Sequence, residues 1–138
     1  MKFLHCMLRV HDVDETLAFY VDKLGLVLVR RNDYPQGQFS LLFVATHEGA
    51  PEIELTYNWD GRSYEGGTNF GHIAFAVEDI YEVCARLEAR GVTVLRPPRD
   101  GKMAFVKDPN GISIELLQQG APKPPCEPWT SRPNVGTW

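Results

Sequence analysis

The sequence predicts an α+β fold of two βαβββ modules with curved mixed sheets, forming one domain over residues 1–138. Three observations lead there. First, the chain repeats itself. His5, Val10 and Asp12 recur 67 residues on as His72, Val77 and Asp79, and Gly25 recurs 66 on as Gly91. LLFV at 41–44 recurs as MAFV at 103–106, and IELTY at 53–57 as IELLQ at 114–118. Second, each copy has the hydrophobic period of a strand, then of a helix, then of three strands. Third, a copy of about 55 residues buries too little apolar surface to stand alone. The two copies must therefore bury their sheet faces together, side by side in one chain or exchanged between two.

Each element has its own signal. The opening strand of the first module carries Phe3, Leu4, Met7, Leu8 and Val10, and that of the second Ile73, Phe75 and Val77. A helix follows in each. Asp12 or Asp14 can cap the first, Leu17, Tyr20, Val21 and Leu24 give it an apolar stripe, and Gly25 stops it. Asp79 caps the second, with Ile80, Val83, Cys84 and Leu87 as its stripe and Gly91 as its stop. Strands are expected at 27–31, 40–44 and 52–57, then at 92–95, 103–106 and 113–118. Asp108-Pro109-Asn110-Gly111 signals a hairpin turn. The first module thus covers about 1–57, a Gly-rich polar linker 58–69, and the second module about 70–118. Residues 119–138 hold five of the ten prolines and read as an extended tail, with Trp129 and Trp138 available for packing.

Composition excludes several classes. With 14 Lys+Arg against 18 Asp+Glu, the net charge of −4 offers no broad basic face for nucleic acid. No window approaches the roughly 18 apolar residues of a membrane span. Arg9 and His11 follow too closely on the start for a secretory leader, and Cys6, Cys84 and Cys126 are too scattered for a disulfide framework. The expectation is a reduced, soluble, cytoplasmic protein.

Four residues carry chemistry. The repeat places a histidine on the first strand of each module, His5 and His72, and a glutamate on the last, Glu54 and Glu115. A lone strand histidine is more often a hydrogen-bonded structural residue, and a lone strand glutamate usually faces solvent. Recurrence of both at equivalent places argues otherwise. Two His–Glu pairs related by a pseudo-twofold axis give a site of two imidazoles and two carboxylates. Such a set suits Ni, Co, Zn, Mn or Fe(II), with two positions of a six-coordinate ion left open.

The segments HCMLRVHDVDETLAFYVDKLGL, PEIELTYNWD, GTNFGHIAFAVEDI and AFVKDPNGISIELL together resemble glyoxalase I of the vicinal-oxygen-chelate superfamily, over residues 1–118. The resemblance implies that His5, Glu54, His72 and Glu115 bind one divalent metal, nickel by preference for so short a chain, with zinc or cobalt as alternatives. It implies metal-dependent isomerisation of the methylglyoxal–glutathione hemithioacetal to S-lactoylglutathione, with Glu115 and then Glu54 as catalytic bases and glutathione as co-substrate. It implies that Arg9 holds a glutathione carboxylate and Asn58 its peptide, and gives Lys102, in a short loop, the glycine end. It further implies a homodimer whose sites take one ligand pair from each subunit. The rival readings are a thiol transferase or dioxygenase of the same superfamily, a metal-free sequestering protein, and a relative that acts without glutathione. A fourth ligand, Glu54, argues against the three-ligand enzymes.

Overall fold

The computed structural model describes residues 1–138, which divide into two compact units, Met1–Glu65 and Gly66–Trp138. In the first unit, β1 (His5–Val10) leads to a short helix α1 (Val13–Leu17) and a π-helical segment, Ala18–Lys23. Three strands follow, β2 (Val27–Tyr34), β3 (Phe39–Ala45) and β4 (Glu52–Asn58). They form one sheet in the order β1-β4-β3-β2, parallel between β1 and β4 and antiparallel elsewhere. Alternation along these strands sorts the side chains. Leu8, Val10, Leu42, Val44, Ile53 and Leu55 are buried on one face and form the unit's core with Thr16, Phe19 and Tyr20.

Asp12 caps α1, its carboxylate accepting from the Glu15 N–H at 2.7 Å. Of the expected stripe only Tyr20 is buried. Leu17, Val21 and Leu24 are only half-buried, and the buried side chains are Thr16, Phe19 and Tyr20. The cause is the π segment: the Leu24 N–H reaches the Phe19 carbonyl, five residues back, at 2.9 Å. The widened turn adds a residue, so the inward face rotates away from the 3.6-residue period. Gly25, at φ +95, ends the helix as expected.

The second unit contains β5 (His72–Val77), α2 (Ile80–Ala89), β6 (Met103–Lys107) and β7 (Ser113–Gln118), with the sheet order β5-β7-β6. Here β5 and β7 are parallel, repeating the β1–β4 relation. Asp79 caps α2, accepting from the N–H groups of Tyr81 and Glu82. Ile80, Cys84 and Leu87 are fully buried with Val106, Ile114 and Leu116; Val83 is half-buried. Burial pushes the Cys84 thiol up to about 12, so it stays protonated. The Asp108–Gly111 turn joins β6 to β7, the Asp108 carboxylate accepting from the N–H groups of Asn110 and Ile112 at 2.8 Å each.

The expected strand at 92–95 is not formed. Val92 and Val94 are buried, but pairing with β6 stops at one bridge, Arg96 to Phe105, beside which the Leu95 N–H donates to the Phe105 carbonyl at 2.8 Å. Pro97 and Pro98 follow, and proline has no N–H to continue a ladder. The second sheet therefore has three strands where the first has four.

Residues 119–138 are tied down throughout. Lys123 pairs with Asp79, and its N–H donates to the Gly101 carbonyl at 3.0 Å. Trp129 is buried, stacked with Tyr81 and capped by the Arg132 guanidinium. Arg132 also forks onto Glu88, and Arg99 donates to the Arg132 carbonyl and the Asn134 side chain at 2.9 Å each. The Val135 N–H donates to the Leu95 carbonyl at 2.8 Å, occupying an acceptor the missing strand left open.

Two predictions follow from these ties. Gly101 has φ +65, and a Cβ there would lie 2.0 Å from the Lys123 carbonyl oxygen. Gly101→Ala should therefore lift the tail off this loop, read as faster chymotryptic cleavage after the buried Trp129 with little change in far-ultraviolet circular dichroism. Unaltered cleavage would show that the loop absorbs the methyl group. The second concerns acid. The Lys123 ammonium and two helix N–H groups hold the Asp79 carboxyl below its ordinary value of 3.8. A depressed carboxyl stabilises the fold fully above that ordinary value, and the contribution fades as pH falls through the lowered one. The difference in melting temperature between wild type and Asp79→Asn should be constant from pH 5 to 7 and shrink toward pH 2. A difference independent of pH would refute the assignment.

Candidate active site

Parallel pairing positions the first half-site. His5 stands opposite Glu52 and Met7 opposite Glu54, so His5, Met7, Arg9, Glu52, Glu54 and Thr56 share the sheet face turned away from the core. The His5 Nε2 lies 3.0 Å from a Glu54 carboxylate oxygen. The second half-site repeats this. His72 stands opposite Ser113 and Ala74 opposite Glu115, and His72 Nε2 lies 3.0 Å from a Glu115 oxygen. In both, the histidine is about 40% exposed and the glutamate 15% or less. The carboxylates are thus set into the sheet while the imidazoles reach outward.

Each pair has an aromatic neighbour that the sequence reading passed over. Phe43 stands opposite Glu54 on β3, and Phe105 opposite Glu115 on β6. Phe43 meets the His5 ring nearly perpendicularly at 6.1 Å, and Phe105 meets His72 likewise at 5.4 Å. The signal was available, because the two phenylalanines are the same position of the LLFV/MAFV repeat.

The first half-site also collects Arg9, Asn58 and Arg30. Arg9 stands opposite Thr56, four residues along β1 from His5, or about 13 Å. It is exposed, whereas Arg30, Arg31, Arg62, Arg96 and Arg132 all face an acidic side chain. Asn58 ends β4 on the same face and donates to the Tyr64 hydroxyl at 2.6 Å. Arg30 reaches this face through a bulge: the β2–β3 register shifts between Leu28 and Arg30, which aligns Arg30 with Phe43 instead of the buried Leu42. Its guanidinium lies 3.6 Å from the Phe43 ring centre and forks onto Glu52. The fork raises the Arg30 pKa and lowers that of Glu52, keeping both charged. A cavity of about 400 Å³ opens beside His5, lined by Phe3, Arg30, Phe43 and Glu52 among others. Lys102 stands elsewhere. Its carbonyl accepts from the Gln118 N–H, three residues along β7 from Glu115, and its side chain is exposed.

The donor chemistry of each pair fits a divalent ion. Two ligands at about 2.1 Å and at right angles on one ion stand about 3.0 Å apart, which is the nitrogen–oxygen separation found in both pairs. A His–Glu hydrogen bond has the same length, so distance alone does not choose between them. Within neither unit do three or more His, Cys, Asp or Glu side chains gather so as to hold an ion. Each unit offers two donors.

The sequence profile of the Glyoxalase/Bleomycin resistance protein/Dioxygenase superfamily matches residues 2–116. Lactoylglutathione lyase of Haemophilus influenzae is 44% identical over 130 residues, covering 89% of this chain and 96% of that protein. The enzyme of Neisseria meningitidis serogroup A is 44% identical over 126 residues, covering 86% and 91%. Among solved structures, the trypanothione-dependent glyoxalase I of Leishmania major superposes with a TM-score of 0.82 at 37% identity, covering 86% of this chain and 87% of that one. Shared fold, a profile that spans both half-sites and identity of this order along nearly the whole chain agree: this protein belongs to the glyoxalase superfamily, in its lactoylglutathione lyase branch.

Proposed function

We propose that this chain isomerises the methylglyoxal–glutathione hemithioacetal to S-lactoylglutathione, with His5, Glu54, His72 and Glu115 holding one divalent ion. The observation that carries the reading is the doubled His–Glu pair, identical in residue type, strand register and 3.0 Å separation in two units of different sheet size. A hydrogen bond kept for stability has no reason to recur so closely. We assign the completed site to a homodimer, in which His5 and Glu54 of one subunit meet His72 and Glu115 of the second. Nickel is the ion we favour, with zinc or cobalt as alternatives.

The chemistry asked of these residues is proton transfer. When bound, the ion supplies positive charge beside the two substrate oxygens where negative charge develops. A Glu115 carboxylate oxygen accepts the proton from the carbon bearing sulfur and returns it to the neighbouring carbon. The hydroxyl proton passes from one oxygen to the other, so atoms and electrons balance without an oxidant. Glu54, in the equivalent place, serves the opposite stereoisomer. Arg9, unneutralised on the same face as His5, suits a carboxylate of glutathione, and Asn58 suits its peptide. Lys102 suits the glycine carboxylate. We also assign the protein to the cytoplasm; no helix is long and apolar enough to cross a membrane.

Subunit complementation tests the shared site. His5→Ala and His72→Ala should each lose most bound metal and activity. Refolded together, they should recover about one quarter of wild-type activity, since half the dimers are mixed and each carries one intact site. No recovery would place each site within one chain or refute the ligand set.

The base is tested separately. Glu115→Gln keeps the shape and an oxygen donor but loses the charge that takes the proton. With metal content matched to wild type, kcat should fall about 10²-fold or more, and Glu54→Gln should cost less. Near-normal turnover by metal-replete Glu115→Gln would leave Glu115 a ligand only.

A further inference from the structure

The two half-sites differ in what lies on their phenylalanine. In the first, Arg30 covers Phe43 and is held there by its fork onto Glu52. The repeat supplies a counterpart for each member. Arg96 stands opposite Phe105 as Arg30 stands opposite Phe43. Ser113 stands opposite His72 as Glu52 stands opposite His5. Serine has no carboxylate to fork, and Arg96 has turned away: it donates to the Met103 carbonyl at 2.6 Å and to Asp100 at 3.0 Å. The Phe105 ring is left without its arginine. Trp138 lies there instead, its indole stacked on Phe105 with ring centres 5.6 Å apart and planes 23° apart.

We propose that Trp138 is a positioning residue of the second half-site, fixing through Phe105 the ring against which His72 rests, in place of the arginine–glutamate clamp of the first. Phe105 is 7% exposed and Trp138 40% exposed, so the indole is an outer plate over an inner ring. Its approach is fixed from behind. Val135 bonds to Leu95 and Arg99 holds Asn134, which ties down the segment that leads to Trp138. A flat apolar plate suits this place, because Phe105 can then neither tip outward nor admit water beside the imidazole. The proline-rich tail thereby acquires a role in the site: it carries the plate. The contact itself is independent of the proposed reaction, but its effect on metal and turnover rests on that reading.

The experiment compares Trp138→Ala, Trp138→Leu and Trp138→Phe in the full chain. At one fixed pH, the ring-proton resonances of His72 in the metal-free protein should move in the Ala and Leu variants and stay near wild type in the Phe variant, while those of His5 hold throughout. Zinc affinity, measured against a chromogenic chelator, should weaken two- to tenfold in Ala and Leu, the range an aromatic pair is worth. The kcat on the hemithioacetal should fall by a similar factor at unchanged KM, and Phe should restore both. Melting temperatures within a few degrees of wild type confirm that the unit remains folded. Unmoved His72 resonances and unchanged zinc affinity in Trp138→Ala would overturn the proposal, as would full rescue by Leu, which keeps bulk but not the plane. If wild type lacks lyase activity while the His72 and zinc pattern appears, the proposed reaction falls and the positioning role stands.

Discussion

Everything in the site depends on the register of two parallel strand pairs. Aligning β1 with β4, and β5 with β7, places each histidine one pair before its glutamate on a single sheet face. Side chains alternate with a period of two, so a slip of one residue would send Glu54 or Glu115 into the core and Leu55 or Leu116 out. The buried leucines and isoleucines on either side of each glutamate therefore fix where the two carboxylates stand. Ile53 and Leu55 are buried around Glu54, and Ile114 and Leu116 around Glu115. Core packing and site geometry are here one constraint read from opposite faces of the same strand.

The repeat shows how much the supporting structure can vary around that constraint. The first unit has four strands, a π-helical turn and a bulge; the second has three strands, a regular α2 and a tail. Both keep histidine, glutamate and phenylalanine in the same relation. What differs is the outermost layer. The first unit uses a charged clamp on a bulged edge strand, where a guanidinium lies flat on an aromatic face and stays solvated at its rim. The second uses an apolar plate brought in from 119–138. The serine at position 113, which stands opposite His72 as Glu52 stands opposite His5, accounts for the difference: an arginine over Phe105 would have no carboxylate there to hold it.

The tail is integral to its unit. It ties the cap of α2 through Lys123, buries Trp129 against Tyr81, and donates to the Leu95 and Gly101 carbonyls through the Val135 and Lys123 N–H groups. A segment that reads as extended and low in pattern becomes structural through salt bridges and aromatic contacts scattered along it. None of these has a period.

The repeat, the capped helices, the Asp108–Gly111 turn, the two His–Glu pairs and the family are all legible in the order of residues. Those features are local or periodic, and the 67-residue spacing of His5 and His72 made each confirm the other. Tertiary structure decided the rest. It kept Tyr20 of the expected stripe but set Thr16 and Phe19 in the core in place of Leu17, Val21 and Leu24, because a π turn carries no distinct hydrophobic signature. It dissolved the strand at 92–95, where β-rich residues met two prolines and a competing tail. It put Arg30 on the face of His5 and Glu54 through one bulged residue, and it brought Trp138 to Phe105 across a separation of 33 residues. Register shifts and long-range contacts are settled only when distant segments compete for the same surface, so a single sequence does not display them.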